Sequence, residues 1–77
     1  MERDQQRKES AILRVKKEMQ MYEEEIKSIK AEREHVPQGE DAIYIHRNIN
    51  DRLSETEAAL ESLARILTRT EEELSRL

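Results

Sequence analysis

The sequence predicts an all-α protein: an antiparallel two-helix coiled-coil hairpin that we expect to pack into a larger helical bundle by dimerisation. Three observations lead to this prediction. The only proline, Pro37, and the only glycine, Gly39, stand together near the middle of the 77 residues. Apolar residues on either side recur at alternating steps of three and four. Charged residues make up 42% of the chain and aromatic residues only 3%, a composition typical of long helices.

Composition limits the classes of function. The length allows one domain at most, and the absence of cysteine excludes a disulfide framework or a thiolate metal site. No apolar run approaches the roughly 20 residues that span a bilayer, and the opening residues lack the apolar core of a signal peptide. We therefore expect an intracellular, cytoplasmic protein without membrane insertion. The net charge is −4 with both signs mixed along the chain, so no nucleic-acid partner is expected.

The Pro/Gly pair divides the chain into two helices of similar length. Residues 1–35 and 42–77 contain neither glycine nor proline, which predicts one helical hairpin with helices at about 3–35 and 42–76 and a turn at 36–41. Pro37 disfavours helical geometry in the residue before it, and Gly39 tolerates positive φ. Asp41 is the expected N-cap of the second helix.

The seam, meaning the line of positions along which the two helices face each other, carries the apolar excess. It comprises eight positions in the first segment, of which seven are apolar: Ile12, Val15, Met19, Tyr22, Ile26, Ile29, Arg33 and Val36. It comprises eleven in the second, of which eight are apolar: Ala42, His46, Ile49, Leu53, Thr56, Leu60, Leu63, Leu67, Thr70, Leu74 and Leu77. Such enrichment over the 35% average indicates a coiled coil rather than disorder or strands.

Folding the halves about residue 38 gives an expected register. It pairs Ile26 with Ile49, and the open end, where both chain termini lie, then leaves three leucines opposite poor partners. Leu67, Leu74 and Leu77 face Lys8, Gln5 and Met1, and residues 2–10 contain no apolar side chain. We expect a second copy or another segment to cover these leucines. Ile45, Ala59 and Ile66 add a further apolar column that a two-helix seam does not need.

Ile43, Tyr44 and Ile45 form a short apolar cluster just after the turn. Two interpretations stay open: a contact patch for a partner or second copy, or local packing over the turn and Pro37. The expected contact residues are thus Ile43, Tyr44, Ile45, Ile66, Leu67, Leu74 and Leu77.

Enzyme and metal chemistry are not expected. His35 and His46 flank the turn near Glu34, Glu40 and Asp41, but a histidine close to the negative end of a helix has an ordinary electrostatic reason to be there. Two helices offer no enclosed pocket in which the acidic run Glu23–Glu25 could act as acid or base. The sequence also lacks a glycine-rich phosphate loop. No catalytic residue, cofactor or metal is therefore predicted.

The stretch from about Ser10 to Leu77 resembles the Rho-effector antiparallel coiled-coil finger. This is the helical-hairpin repeat of protein-kinase-N-type kinases and of some membrane-curving adaptor proteins. The resemblance lies in the Lys/Glu-rich first helix from Lys16 to Lys30, the turn Pro37–Asp41 and the run Ile49, Leu53, Leu60, Leu63 and Leu67. It implies binding of Rho-family small GTPases on the side of the hairpin.

Two classes of function follow. The first is a non-enzymatic protein–protein interaction module, with a Rho-family GTPase as the implied partner. The second is a structural homodimerising coiled-coil segment of a larger scaffold, motor or filament protein.

Overall fold

The chain forms two long helices packed side by side. A computed structural model describes residues 2–77, with α1 at Glu2–Glu34 and α2 at Ala42–Ser75. The body measures 61 × 14 × 13 Å, so the two helices share nearly their whole length. Each bound lies within one residue of the expected position. The all-α, two-helix prediction is confirmed.

The connection at residues 35–41 joins the two helices without any residue at positive φ. The His35 amide donates to the Glu32 carbonyl at 3.1 Å, and the chain then turns away before Pro37, which cannot continue a helix. Gly39 does not have positive φ, so the turn does not use the tolerance of glycine for that conformation. A Cβ added at Gly39 would meet nothing within 4 Å.

Asp41 occupies the N-cap position of α2 but does not cap it with its side chain. Its backbone is αR-like (φ −87°, ψ −6°), and its carbonyl accepts from the amides of Tyr44 and Ile45, both at 3.1 Å. The carboxylate still lies at the positive end of the helix dipole. Beyond it α2 is one helix from Ala42 through to Ser75, including the polar stretch 48–51.

The core is a small cluster near the turn. Ile29 and Ile49 are each 1% exposed, Leu53 is also buried, and Ile26 and Val36 pack against them. Thr56 continues this buried line, and its hydroxyl donates to the Arg52 carbonyl at 2.9 Å, which satisfies the polar atom inside the seam. The remaining predicted seam positions are half-buried, apart from Arg33 and Leu77, which are exposed.

Contacts across the seam fix the direction and register of the helices. Lys8 pairs with Glu73 at 3.2 Å near one end, and Arg52 pairs with Glu32 at 3.1 Å near the other. The start of α1 therefore lies beside the end of α2, and the end of α1 beside the start of α2. The exceptional seam residue Arg33 donates to the Asn50 side-chain carbonyl at 3.5 Å.

These contacts correct the expected register. They centre the fold-back near residues 41–42 rather than 38, so Lys8 lies beside Glu73 and not Leu67. The difference is close to one heptad. Sliding a coiled coil by a heptad returns the same apolar columns to the seam, so the apolar pattern accepts both registers.

The corrected register covers most of the open end. Leu67 and Leu74 are half-buried in the seam, so the expectation that they are left under-covered was wrong. Leu77 is exposed. Its expected partner Met1 lies outside the described residues. The open end consequently offers less apolar surface than the sequence indicated.

Candidate interaction surfaces

The hairpin exposes more large apolar side chains than it buries. Within residues 2–77, Ile29, Ile49 and Leu53 are the buried apolar side chains. Seven large apolar side chains are exposed: Leu13, Met21, Ile43, Tyr44, Ile45, Ile66 and Leu77. Scattered apolar side chains are normal on a surface, so their grouping decides which of them form a candidate site.

The tip cluster, defined as Ile43, Tyr44 and Ile45, stays exposed beside the turn. Ile43 and Tyr44 are 63% and 66% exposed, and Ile45 is 39% exposed. Consecutive helical residues point about 100° apart, so Ile43 and Ile45 lie on opposite flanks with Tyr44 between them on the outer face. Val36, rather than these residues, packs on the core below the turn.

The candidate residues at the open end are separated from the tip cluster by most of the 61 Å length. Leu67 and Leu74 face the seam, and Leu77 is exposed at the terminus. The structure therefore does not bring the seven predicted contact residues into one site. Ile66 lies apart from both groups, along the side of the hairpin.

One side of the hairpin, which we call the Arg52 flank, is marked by a column of α2 residues spaced seven apart: Ile45, Arg52, Ala59, Ile66 and Glu73. Arg52 and Glu73 each reach α1 in an ion pair, so this column runs alongside α1. Seven residues are close to two helical turns, and Ile66, seven before Glu73, therefore lies on the same flank. The column predicted from Ile45, Ala59 and Ile66 thus borders the seam.

The Arg52–Glu32 pair orders the charges on this flank. The hydrogen bond from Arg52 to Glu32 and the charge of Glu32 raise the pKa of the Arg52 guanidinium, and Glu25 adds to the effect. Desolvation lowers this pKa, by less than Glu32 raises it and by more than Glu25 does. Glu25 precedes Glu32 by seven residues, close to two helical turns, and therefore lies on the same flank. Because both side chains are exposed, the Arg52–Glu32 pair contributes little to stability and mainly orients the two side chains.

Midway along the Arg52 flank, exposed apolar side chains lie next to the glutamates of α1. Met21 is 62% exposed on α1 and, with Tyr22, Glu18 and Glu25, lines a shallow depression. On α2 the matching stretch holds Ile66, 50% exposed, and the small residue Ala59. We call Met21, Ala59, Ser62 and Ile66 the waist of this flank.

The opposite side, which we call the Lys30 flank, is charged at the same height. A shallow groove there is lined in part by the apolar residues Ile26, Leu60 and Ala64. Its remaining lining residues are all charged: Glu23, Lys27, Lys30, Glu57 and Glu61. A partner binding there would have to desolvate several charges, which disfavours this side as an apolar contact.

Two kinds of feature are absent from residues 2–77, namely a cluster of metal-binding side chains and a membrane-spanning stretch. Within residues 2–77 no three His, Cys, Asp or Glu side chains come close enough together to hold a metal ion. His46 is half-buried on the seam, whereas His35 is exposed. Over the same range neither helix carries an apolar stretch long enough to cross a bilayer.

Sequence reasoning missed the two cross-helix ion pairs and the position of Glu25 beside Arg52. The spacing of Arg52 and Glu73, which is three repeats of seven residues, was visible in the sequence. The register, however, decides which α1 residues stand opposite them. Met21 was recognisable as an outward-facing apolar residue, but its nearness to the Ile66 column follows from the packing of the helices.

No protein-family model, curated protein or solved structure matches this chain.

Proposed function

We propose that the hairpin is a non-enzymatic protein–protein interaction module. The observation that carries this proposal is the tip cluster, where three consecutive large apolar side chains stay in solvent. On the same helix Ile49 is almost fully buried, whereas Ile43 and Ile45 remain exposed. The hairpin core therefore does not cover the isoleucines of the tip. Exposed apolar groups of this kind are typical contact residues.

The proposed partner is a Rho-family small GTPase. The support is the resemblance of the Lys16–Lys30 segment, the Pro37–Asp41 turn and the leucine run of α2 to the Rho-effector finger. A long pair of helices also suits recognition by its side, because most residues outside the seam are exposed along both helices.

Titration of the chain with Rho-family GTPases, loaded with a GTP analogue or with GDP, tests this partner. We expect binding to the GTP-analogue form. An Ile43→Glu/Tyr44→Glu variant should reduce affinity about tenfold or more, because it places charges in the proposed apolar contact. Leu13→Glu is the matched control, because Leu13 is equally exposed but lies far from the tip. Absence of binding to either nucleotide form at high micromolar concentration would remove the Rho-family partner.

The second candidate function is a homodimerising structural segment of a larger scaffold, motor or filament protein. Ile66 favours it, because this side chain is half exposed in a column that continues beside the seam. A third apolar column is the feature that distinguishes helices of a larger bundle from those of a simple pair. Sedimentation equilibrium of the unmodified chain tests it, with a dimer expected and a monomer at every concentration contradicting it.

A further inference from the structure

The charges of the Arg52 flank change sign along its length. Arg14 and Arg69 lie towards the open end, and Glu25 and Glu55 lie towards the tip. Interpolating between the Lys8–Glu73 and Glu32–Arg52 pairs puts the two arginines within about one helical turn of each other in height. The same holds for the two glutamates. The waist separates the basic pair from the acidic pair.

When two copies face each other in opposite directions, the basic pair of each lies opposite the acidic pair of the other. On α2, Glu55 and Arg69 each lie seven residues from Ser62, in opposite directions. A two-fold axis at the height of Ser62 would therefore lay Arg69 of one copy over Glu55 of the other. On α1, Arg14 and Glu25 lie on either side of Met21, so the same axis brings them together within the reach of an arginine side chain.

The waist supplies the apolar centre that such a contact needs. Met21 and Ile66 project into solvent, and the small side chains of Ala59 and Ser62 let two helices approach closely. An apolar centre with charges at its margin is the usual anatomy of a protein interface. The Lys30 flank, with charged residues at the same height, lacks this anatomy.

The exposed area of the chain also fits a dimer. Its accessible surface is 6439 Å², whereas a compact protein of 9.2 kDa exposes about 4,900 Å². The excess of about 1,500 Å² exceeds the roughly 800 Å² that each partner buries in a standard interface. Covering one flank of the hairpin would remove a large part of this excess.

We propose that the Arg52 flank is the interface of a homodimer. In it two hairpins lie face to face in opposite directions and form a four-helix bundle. Met21, Ala59 and Ile66 pack at its centre, and Arg14 and Arg69 of each copy face Glu25 and Glu55 of the other. The inference rests on the second proposed function and names its surface and orientation. With the axis at Ser62, Ile45 lies beyond the end of the partner's α2, so the tip cluster extends past this interface and is free for another partner.

The waist is tested by sedimentation equilibrium of a Met21→Glu/Ile66→Glu variant, with Leu13→Glu as the matched control. Both variants place glutamate at exposed positions, and far-UV circular dichroism checks that each stays helical. We expect the waist variant to weaken self-association about tenfold or more and the control to leave it unchanged. A dimer of unchanged affinity in a helical waist variant would overturn the proposed interface.

The orientation is tested by exchanging charges between two variants at low ionic strength, where charge pairs act most strongly. One carries Arg14→Glu/Arg69→Glu and the other Glu25→Lys/Glu55→Lys. Each alone meets like charges in the inverted dimer and should self-associate about tenfold more weakly. Their mixture restores opposite charges at every contact, so a mixed dimer should form. This rescue also shows that both variants fold.

The possible outcomes distinguish failure of the proposed interface from failure of the homodimer function on which it rests. A monomeric unmodified chain would remove both the homodimer function and its interface. A dimer that survives the waist substitutions, or a charge-exchanged mixture that stays unassociated while both variants are helical, would leave a dimer but contradict this flank and orientation.

Discussion

At the scale of single residues, a few side chains close to the turn hold the hairpin together. Ile29 and Ile49 meet across the seam and are the two most deeply buried apolar residues. Farther along the seam the residues are half-buried, so each removes less apolar area from water. The stability of the fold is therefore concentrated near the tip.

Replacing Ile49 with alanine should lower the free energy of unfolding by about 2–5 kcal/mol, because it removes buried methyl groups and leaves a cavity. Ile43→Ala is the matched control: it makes the same chemical change at a mostly exposed position and should cost under about 0.5 kcal/mol. Urea denaturation of both variants measures the difference. Equal costs at the two positions would contradict the placement of the core.

Gly39→Ala should leave the fold intact and stabilise it by about 0.4–1 kcal/mol. Its φ is not positive, and a Cβ would meet no neighbouring atom, while alanine reduces the freedom of the unfolded chain. Thermal unfolding of the variant checks this. A clear loss of stability would mean that the turn needs a conformation available to glycine alone.

At the scale of helices, the register is the feature that organises the surface. With the fold-back centred near residues 41–42, Leu67 and Leu74 become partly covered and the Arg52 flank acquires its charge order. With the fold-back at residue 38, other α1 residues would face the same α2 column. The candidate sites therefore depend on a slide of about one heptad.

Spin labels measure this register directly, because the chain contains no cysteine to interfere. We expect labels at Lys8→Cys and Glu73→Cys to lie closer together than labels at Lys8→Cys and Ile66→Cys. The two α2 sites share a flank and differ by about 10 Å along the axis. Labelled chains are diluted with unlabelled ones, so that distances within one chain dominate. A shorter distance for the Ile66 pair would support the register centred at residue 38.

The sequence predicted the helices well and their register poorly, for physical reasons. Pro37 disrupts helical backbone locally, so the break could be located from the residues alone. The spacing from Ile12 to Leu77 identified the seam, because a helix repeats its faces every 3.6 residues. The register, in contrast, is not encoded by the spacing of residues within either helix. In the observed register Val36 packs against the core next to the turn.

Some features of the candidate surfaces could be predicted from position on a single helix, and others depend on the register. The exposure of Ile43, Tyr44 and Ile66 followed from their positions off the seam and is observed. The under-covered leucines did not follow, because their cover depends on which α1 segment lies opposite. Leu67 and Leu74 therefore gain cover from the register, while Leu77 remains exposed.

At the scale of the whole molecule, a hairpin only 14 Å across has little interior. Two helices in one layer leave their outer faces and both flanks in water, so a chain of this length gains stability when another helical surface covers one side. The Arg52 flank presents an apolar waist with ordered charges, and the tip cluster presents a second apolar group. Under the two proposals, one chain would bind a second copy and another protein at once.

The most direct test of this account is the concentration dependence of thermal unfolding, followed by far-UV circular dichroism. If association completes the hairpin, mass action stabilises the folded state, and an about hundredfold rise in protein concentration should raise Tm by roughly 5–10 °C. The Met21→Glu/Ile66→Glu variant should lose this dependence. A Tm that stays constant over the whole range in the unmodified chain would contradict the claim that the hairpin is completed by a second copy.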